Sequence, residues 1–213
     1  MKSILIRSVT VLDSQSPYHR KQVDILIESG IIQKIADKGL KGDEVIEGKG
    51  LFVSPGWVDL RAFSGDPGYE QKEDLNSLLN AALSGGYTAV CTLPGTLPIV
   101  EHKEQIHYQI HRTSAKVVQV LPMAALSLGL KGEELTEMMD LHEAGAVAFT
   151  DSPKPIWHSD LMLRALQYAS GFNGLIVTHA EDRYLSHGGQ MNEGKMSTQL
   201  GLKGIPNWLR KLL

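Results

Sequence analysis

The sequence holds a single cysteine, Cys91. It cannot close an intramolecular disulfide, so an oxidising compartment is not indicated. Long apolar runs are also missing. The first one, near Ile4, is broken by Arg7 and is too short for a signal-peptide core. No run is long enough to cross a bilayer. The expectation is a cytoplasmic protein with no membrane role. Excess charge of either sign is missing too. A net charge of −3 and a pI near 6.2 offer no general attraction to phosphate backbones, which argues against nucleic acid. No glycine-rich dinucleotide fingerprint follows a strand-like run; Gly129-Leu130-Lys131-Gly132 comes nearest and reads as a loop. His107 and His111 stand one helical turn apart, but no Glu follows His107 as the zinc-protease pattern requires. A solvated helix face is expected there.

What remains is an ordinary globular composition, 42% apolar and 21% charged, in a chain of 213 residues. Residues 1–53 read as a small strand-rich unit. Ile4-Leu5-Ile6, Val9-Thr10-Val11, Val23 to Ile27 and Ile31 to Ile35 are short apolar runs separated by turn residues. From residue 54 the rhythm changes. Strands are expected at Trp57-Val58, 88–93, 117–121, 146–149 and 175–178, and helices over 70–83, 101–111, 132–143 and 158–169. Strict alternation means a parallel sheet with helices outside, and such apolar strands suit burial on both faces. An open doubly wound sheet and a (β/α)8 barrel both satisfy this pattern.

If the sheet is a barrel, functional side chains lie at the C-terminal strand ends. Asp151 and His179 fall at two of them and form a plausible acid–imidazole pair facing one cavity. On spacing alone the ordinary reading is favoured: an aspartate that starts a turn and a hydrogen-bonded core histidine.

Several patches resemble one family. They are Pro55-Gly56-Trp57-Val58-Asp59, Asp66-Pro67-Gly68, Lys72-Glu73-Asp74, Gly85-Gly86-Tyr87-Thr88, Gly145 to Asp151, His179-Ala180-Glu181-Asp182, Met191-Asn192-Glu193-Gly194 and Leu200 to Pro206. Together they resemble the dihydroorotases of the cyclic amidohydrolase superfamily. The resemblance implies an α/β fold, the N-terminal part of a (β/α)8 barrel with about five βα units, preceded by a small β-sandwich portion. The domains expected from it are 1–53 and 54–213.

The family's chemistry uses zinc, which activates a bound water and polarises the ring amide. The resemblance places two strand-one histidine ligands at Arg61 and Phe63, which supply neither. It places the substrate-gripping arginine at Gly65 and the substrate-gripping asparagine at Gly95. His179 matches the strand-five ligand. At strand four either Asp151 or Ser152 takes the bridging-ligand position, so His179 and Asp151 are the vestigial metal candidates. A fixed cation at 61 repels a divalent ion and is expected to pair with Asp151 or Asp59.

The implied function is that of a dihydroorotase homologue of pyrimidine biosynthesis, non-catalytic as it stands, with no cofactor predicted. The alternative is an active zinc-dependent cyclic amidohydrolase. Ligand-less relatives serve as scaffolds for aspartate transcarbamoylase, so that enzyme is the expected partner of a full-length form. The family match ends near Pro206, and Asn207 to Lys211 can be written by codons whose shifted frame restores the family's continuation. A truncated or frameshifted product is the expectation. The five strands should form an open arc whose last strand is an apolar edge, and self-association is expected through it.

Overall fold

The computed structural model describes residues 2–179, 181, 186 and 188–206. The expectation for 207–211 lies outside the described residues, as do Ala180 and Asp182 of the fifth-strand patch. The chain divides into two compact units, Met1–Gly56 and Trp57–Leu213.

In the first unit β1 (Ile4–Val11) lies at the centre. It pairs antiparallel with β2 (Gln22–Glu28), which pairs with β3 (Ile31–Ala36). It also pairs parallel with β4 (Glu44–Glu47) and β5 (Phe52–Val53). The two apolar runs read separately in the sequence are one strand, joined by an irregularity between Ile6 and Val9 where Ser8 has φ 58°. Asp24 explains how that kink is held. It is buried, and its two oxygens accept the backbone N–H groups of Ser8 and Gly39, both at 3.0 Å. Val9, Val11, Val23 and Ile25 form one buried apolar cluster, and Leu5, paired with Leu26, is buried on the other face.

The second unit is a curled, wholly parallel sheet. Its strands are β6 (Trp57–Ala62), β7 (Tyr87–Thr92), β8 (Gln119–Ala124) and β9 (Ala148–Phe149), in that spatial order. The connections carry α1 (Leu75–Ser84), α2 (Lys103–Thr113) and α3 (Met138–Glu143), and α4 (Ser159–Ser170) follows β9. Beyond it a short parallel pair, β10 (Met191–Asn192) and β11 (Gly204–Ile205), brackets α5 (Lys195–Leu200). Two apolar clusters hold the helices to the sheet. Leu75 and Leu79 of α1 meet Val90 and Val120, and Leu161 and Ala165 of α4 meet Phe149 and Leu126.

Three elements differ most from the sequence reading, each for a local reason. Helix α1 begins at Leu75, not at residue 70, because Asp74 caps it by accepting the Ser77 N–H at 2.7 Å. Residues 65–73 are a closed loop instead, fastened by Gly65 N–H to Glu73 O and Tyr69 N–H to Gly65 O. The helix expected over 132–143 shrinks to Met138–Glu143. Leu128 N–H donates to Glu134 O and Thr136 N–H to Leu126 O, so residues 127–136 fold back on themselves. The fifth strand contracts to one parallel bridge between Phe149 and Ile176, with two backbone hydrogen bonds of 2.9 Å.

Candidate functional site

Arg61, Phe63, Gly95, Asp151, Ser152 and His179 lie at or just beyond the C-terminal ends of the parallel strands, but they do not form one group. Asp151 is turned away from the others. It is 2% exposed, and its Oδ1 accepts the backbone N–H groups of Leu126 and Ser127, each at 3.0 Å. Its Oδ2 accepts the Ser127 hydroxyl, and Ser127 Oγ in turn accepts the Gly132 N–H at 2.7 Å. All of this carboxylate's near partners therefore belong to the loop after β8. It lines a cavity of about 470 Å³ with Lys131, Lys154 and Trp157.

Ser152 faces the other way. Arg61 Nε donates to Ser152 Oγ at 3.1 Å, while the Arg61 backbone N–H donates to Asp59 Oδ1 at 2.9 Å. The guanidinium thus bonds a hydroxyl, not the carboxylate of Asp151 or Asp59 that the sequence reading paired with it. Arg61, Ser152, Thr178 and His179 line a separate cavity of about 100 Å³, floored by Leu93 and Met123. The expectation that Asp151 and His179 share one cavity is corrected: His179 shares its cavity with Ser152. The His179 Nε2 atom lies 3.4 Å from Glu181 Oε2.

The two glycine positions differ. A Cβ on Gly95 would meet only Phe63 Cε2, at an ordinary contact distance of 3.9 Å, so a side chain fits there. A Cβ on Gly65 would fall inside van der Waals contact of Tyr69 O and 2.7 Å from Glu73 O. No side chain fits there while the 65–73 loop is closed. Below the site, burial, followed by the charge of Asp59, pushes the Cys91 thiol above its ordinary range. His107 and His111 sit on the exposed face of α2 with ring centres 6.2 Å apart.

These donors do not fit zinc. A catalytic zinc takes three protein ligands and a water. The cavity offers His179 and the Ser152 hydroxyl, with a guanidinium occupying one wall. Among the described residues no group of three or more histidine, cysteine or carboxylate side chains is placed to hold a metal ion. Sequence reasoning left Asp151 and Ser152 as alternatives and missed the role of Ser127. The only cue to Ser127 was its place at the end of the β8 run, which carries no specific signal.

A curled parallel sheet with its polar residues at the C-terminal strand ends is the architecture of the amidohydrolase barrels. Solved structures agree. An L-hydantoinase from Arthrobacter aurescens superposes with a TM-score of 0.69 at 20% identity, covering 87% of this chain and 42% of that one. A dihydroorotase crystal structure gives 0.60 at 14% identity, covering 85% and 52%. Within that class, the family described as dihydro-orotase-like matches residues 50–210, and the chain belongs to it. Curated relatives named dihydroorotase include one from Geobacter metallireducens, 42% identical over 208 residues, and one from Ruminiclostridium cellulolyticum, 44% identical over 205. These alignments cover 96% and 95% of this chain but 49% and 48% of the relatives, so the chain spans about half their length. Among the described residues no helix is long and apolar enough to cross a membrane.

Proposed function

We propose that this chain is a non-catalytic, dihydroorotase-like protein that acts through binding, with its ancestral metal site converted to packing and hydrogen bonding. The observation that carries the reading is the Arg61–Ser152 hydrogen bond across the first and fourth strand ends. A fixed cation there repels a divalent ion and removes a ligand at once. Loss of an outer partner alone weakens metal binding roughly 10–100-fold, so loss of direct ligands weakens it further. Substrate binding is impaired independently, because Gly65 and Gly95 carry no side-chain donors and backbone fills the space around Gly65.

The test is metal content after zinc loading and desalting, alongside ring opening of dihydroorotate. We expect no stoichiometric zinc and no turnover above the blank. The double variant Arg61→His, Phe63→His should also stay inactive, because positions 65, 95 and 152 are unchanged. About one tightly held zinc per chain, or turnover that a chelator abolishes, would instead establish the active cyclic amidohydrolase. For a longer form of the protein, the partner we propose is aspartate transcarbamoylase, by analogy with ligand-less family members. Co-purification of the two supports this, and separate elution at micromolar concentration refutes it. The setting proposed for both is the cytoplasm.

A further inference from the structure

We propose that the pocket between Arg61, Ser152 and His179 binds a small oxyanion, a carboxylate or a phosphate, where relatives of this family bind a dication. The inference goes beyond the absence of catalysis and rests on the pocket's own donors.

The polar wall is made of Arg61, Ser152, Thr178 and His179, and among the described residues no carboxylate lines the cavity. Three carboxylates stand on neighbouring segments, and each has partners of its own. Asp59 Oδ1 accepts the Arg61 backbone N–H. Both oxygens of Asp151 serve the loop at Leu126 and Ser127. Glu181 accepts the Ser186 hydroxyl at 2.6 Å and lies beside His179.

The donors, by contrast, are not used up. Arg61 spends Nε on Ser152, and neither of its terminal nitrogens donates to a described residue. Ser152 is 4% exposed and accepts from Arg61, yet its own hydroxyl proton has no described acceptor. The end-on edge of the guanidinium, Nη1 and Nη2, which donates to no described residue, and a buried hydroxyl therefore line one space. That is the geometry that recognises planar or tetrahedral oxyanions, because the fork matches two oxygens at once. Leu93 and Met123 below are buried and apolar, which lowers the local dielectric and strengthens each charge-assisted bond.

Size narrows the ligand. A volume of about 100 Å³ holds roughly three waters at ~30 Å³ each. A carboxylate group, bicarbonate or inorganic phosphate fits; a nucleotide does not. Ser152 also accounts for its own presence in this arrangement. An aspartate at 152 would neutralise Arg61 and repel the anion, whereas a hydroxyl accepts from Nε and still donates.

The test uses the whole chain and two probes, inorganic phosphate and acetate, with chloride matching the ionic strength. Binding is read by equilibrium dialysis, and for phosphate also by phosphorus NMR line width. Saturable one-to-one binding of either probe at millimolar concentration is expected, and which probe binds identifies the anion class. Arg61→Met should weaken binding by about tenfold or more, and Ser152→Ala by a smaller factor. Arg61→Lys should recover part of the loss, because a point charge remains without the fork. Arg61 is exposed, so these variants should keep the circular dichroism of the parent. Failure of both probes to saturate in the parent protein overturns the proposal, as does unchanged affinity in a folded Arg61→Met protein. Zinc uptake would sink the non-catalytic reading separately. With neither zinc nor anion bound, only the anion site falls.

Discussion

Replacing Asp151 with alanine separates two roles for that residue, loop clamp and metal ligand. Its carboxylate accepts two backbone N–H groups and one hydroxyl, and the two amide donors belong to residues that are 0% exposed. In Asp151→Ala those donors lose their protein acceptor, and only water from the adjoining cavity is left to meet them. Each orphaned buried donor costs about 1–3 kcal/mol. Relief from burying a carboxylate offsets part of that. A net destabilisation of about 3 kcal/mol follows, which for a chain of this size lowers Tm by roughly 6–12 °C. Asp151→Asn should cost less, about 1–2 kcal/mol, because its carbonyl oxygen keeps both amide bonds. Its NH2 group then donates to Ser127 Oγ, which already accepts from Gly132. Urea unfolding followed by near-ultraviolet circular dichroism measures all three proteins. If Asp151→Ala lies within about 0.5 kcal/mol of the parent, the clamp is not stabilising and the geometric argument is wrong.

Gly65→Arg, which sets a Cβ against Tyr69 O and Glu73 O, should destabilise the fold by about 1–3 kcal/mol. It should also make residues 65–73 sensitive to limited proteolysis; an unaltered Tm would show that the loop opens freely. Tyr108 donates to Asp66 Oδ1 at 2.7 Å, and that bond, then burial, holds the phenol above its ordinary value. A folded pKa above the unfolded one means stability fully present below about pH 10 and lost as pH rises through the folded value. Ultraviolet titration should show one late-ionising tyrosine that vanishes in Tyr108→Phe; identical curves refute it. The sheet ends on the Ile176 bridge, and β6 keeps Trp57, Val58 and Leu60 more than a third exposed. Concentration-dependent self-association should appear by light scattering and weaken in Leu60→Glu, whereas a strict monomer at all concentrations refutes it.

Strand β7 and helices α2 and α4 were legible in the sequence because periodicity and breakers agree over their whole length. Gly85-Gly86 precedes β7, and the helix read over 158–169 is α4, which buries Leu161 and Ala165 one turn apart. The stretch 132–137 was not legible. Its leucine and glutamate pattern favours helix, but the carbonyl of Leu126 and the amide of Leu128 recruit it into a fold-back. Tertiary hydrogen bonds override local propensity there. That the strand-one positions carry no histidine is plain from Arg61 and Phe63 themselves. The choice between Asp151 and Ser152 was not legible. It depends on which way each side chain leaves the strand, and Asp151 finds its acceptor role 25 residues away, at the Leu126 amide.

The closed loop around Gly65 also bears on how the site can be re-engineered. The backbone carbonyls of Tyr69 and Glu73 occupy the space that any side chain at 65 needs, whereas position 95 meets only an ordinary contact with the Phe63 ring. A new side chain at 65 therefore has to open the 65–73 loop before it can reach the site, while one at 95 is limited by its chemistry alone. The two glycines are unequal starting points: one is gated by the backbone, the other is not.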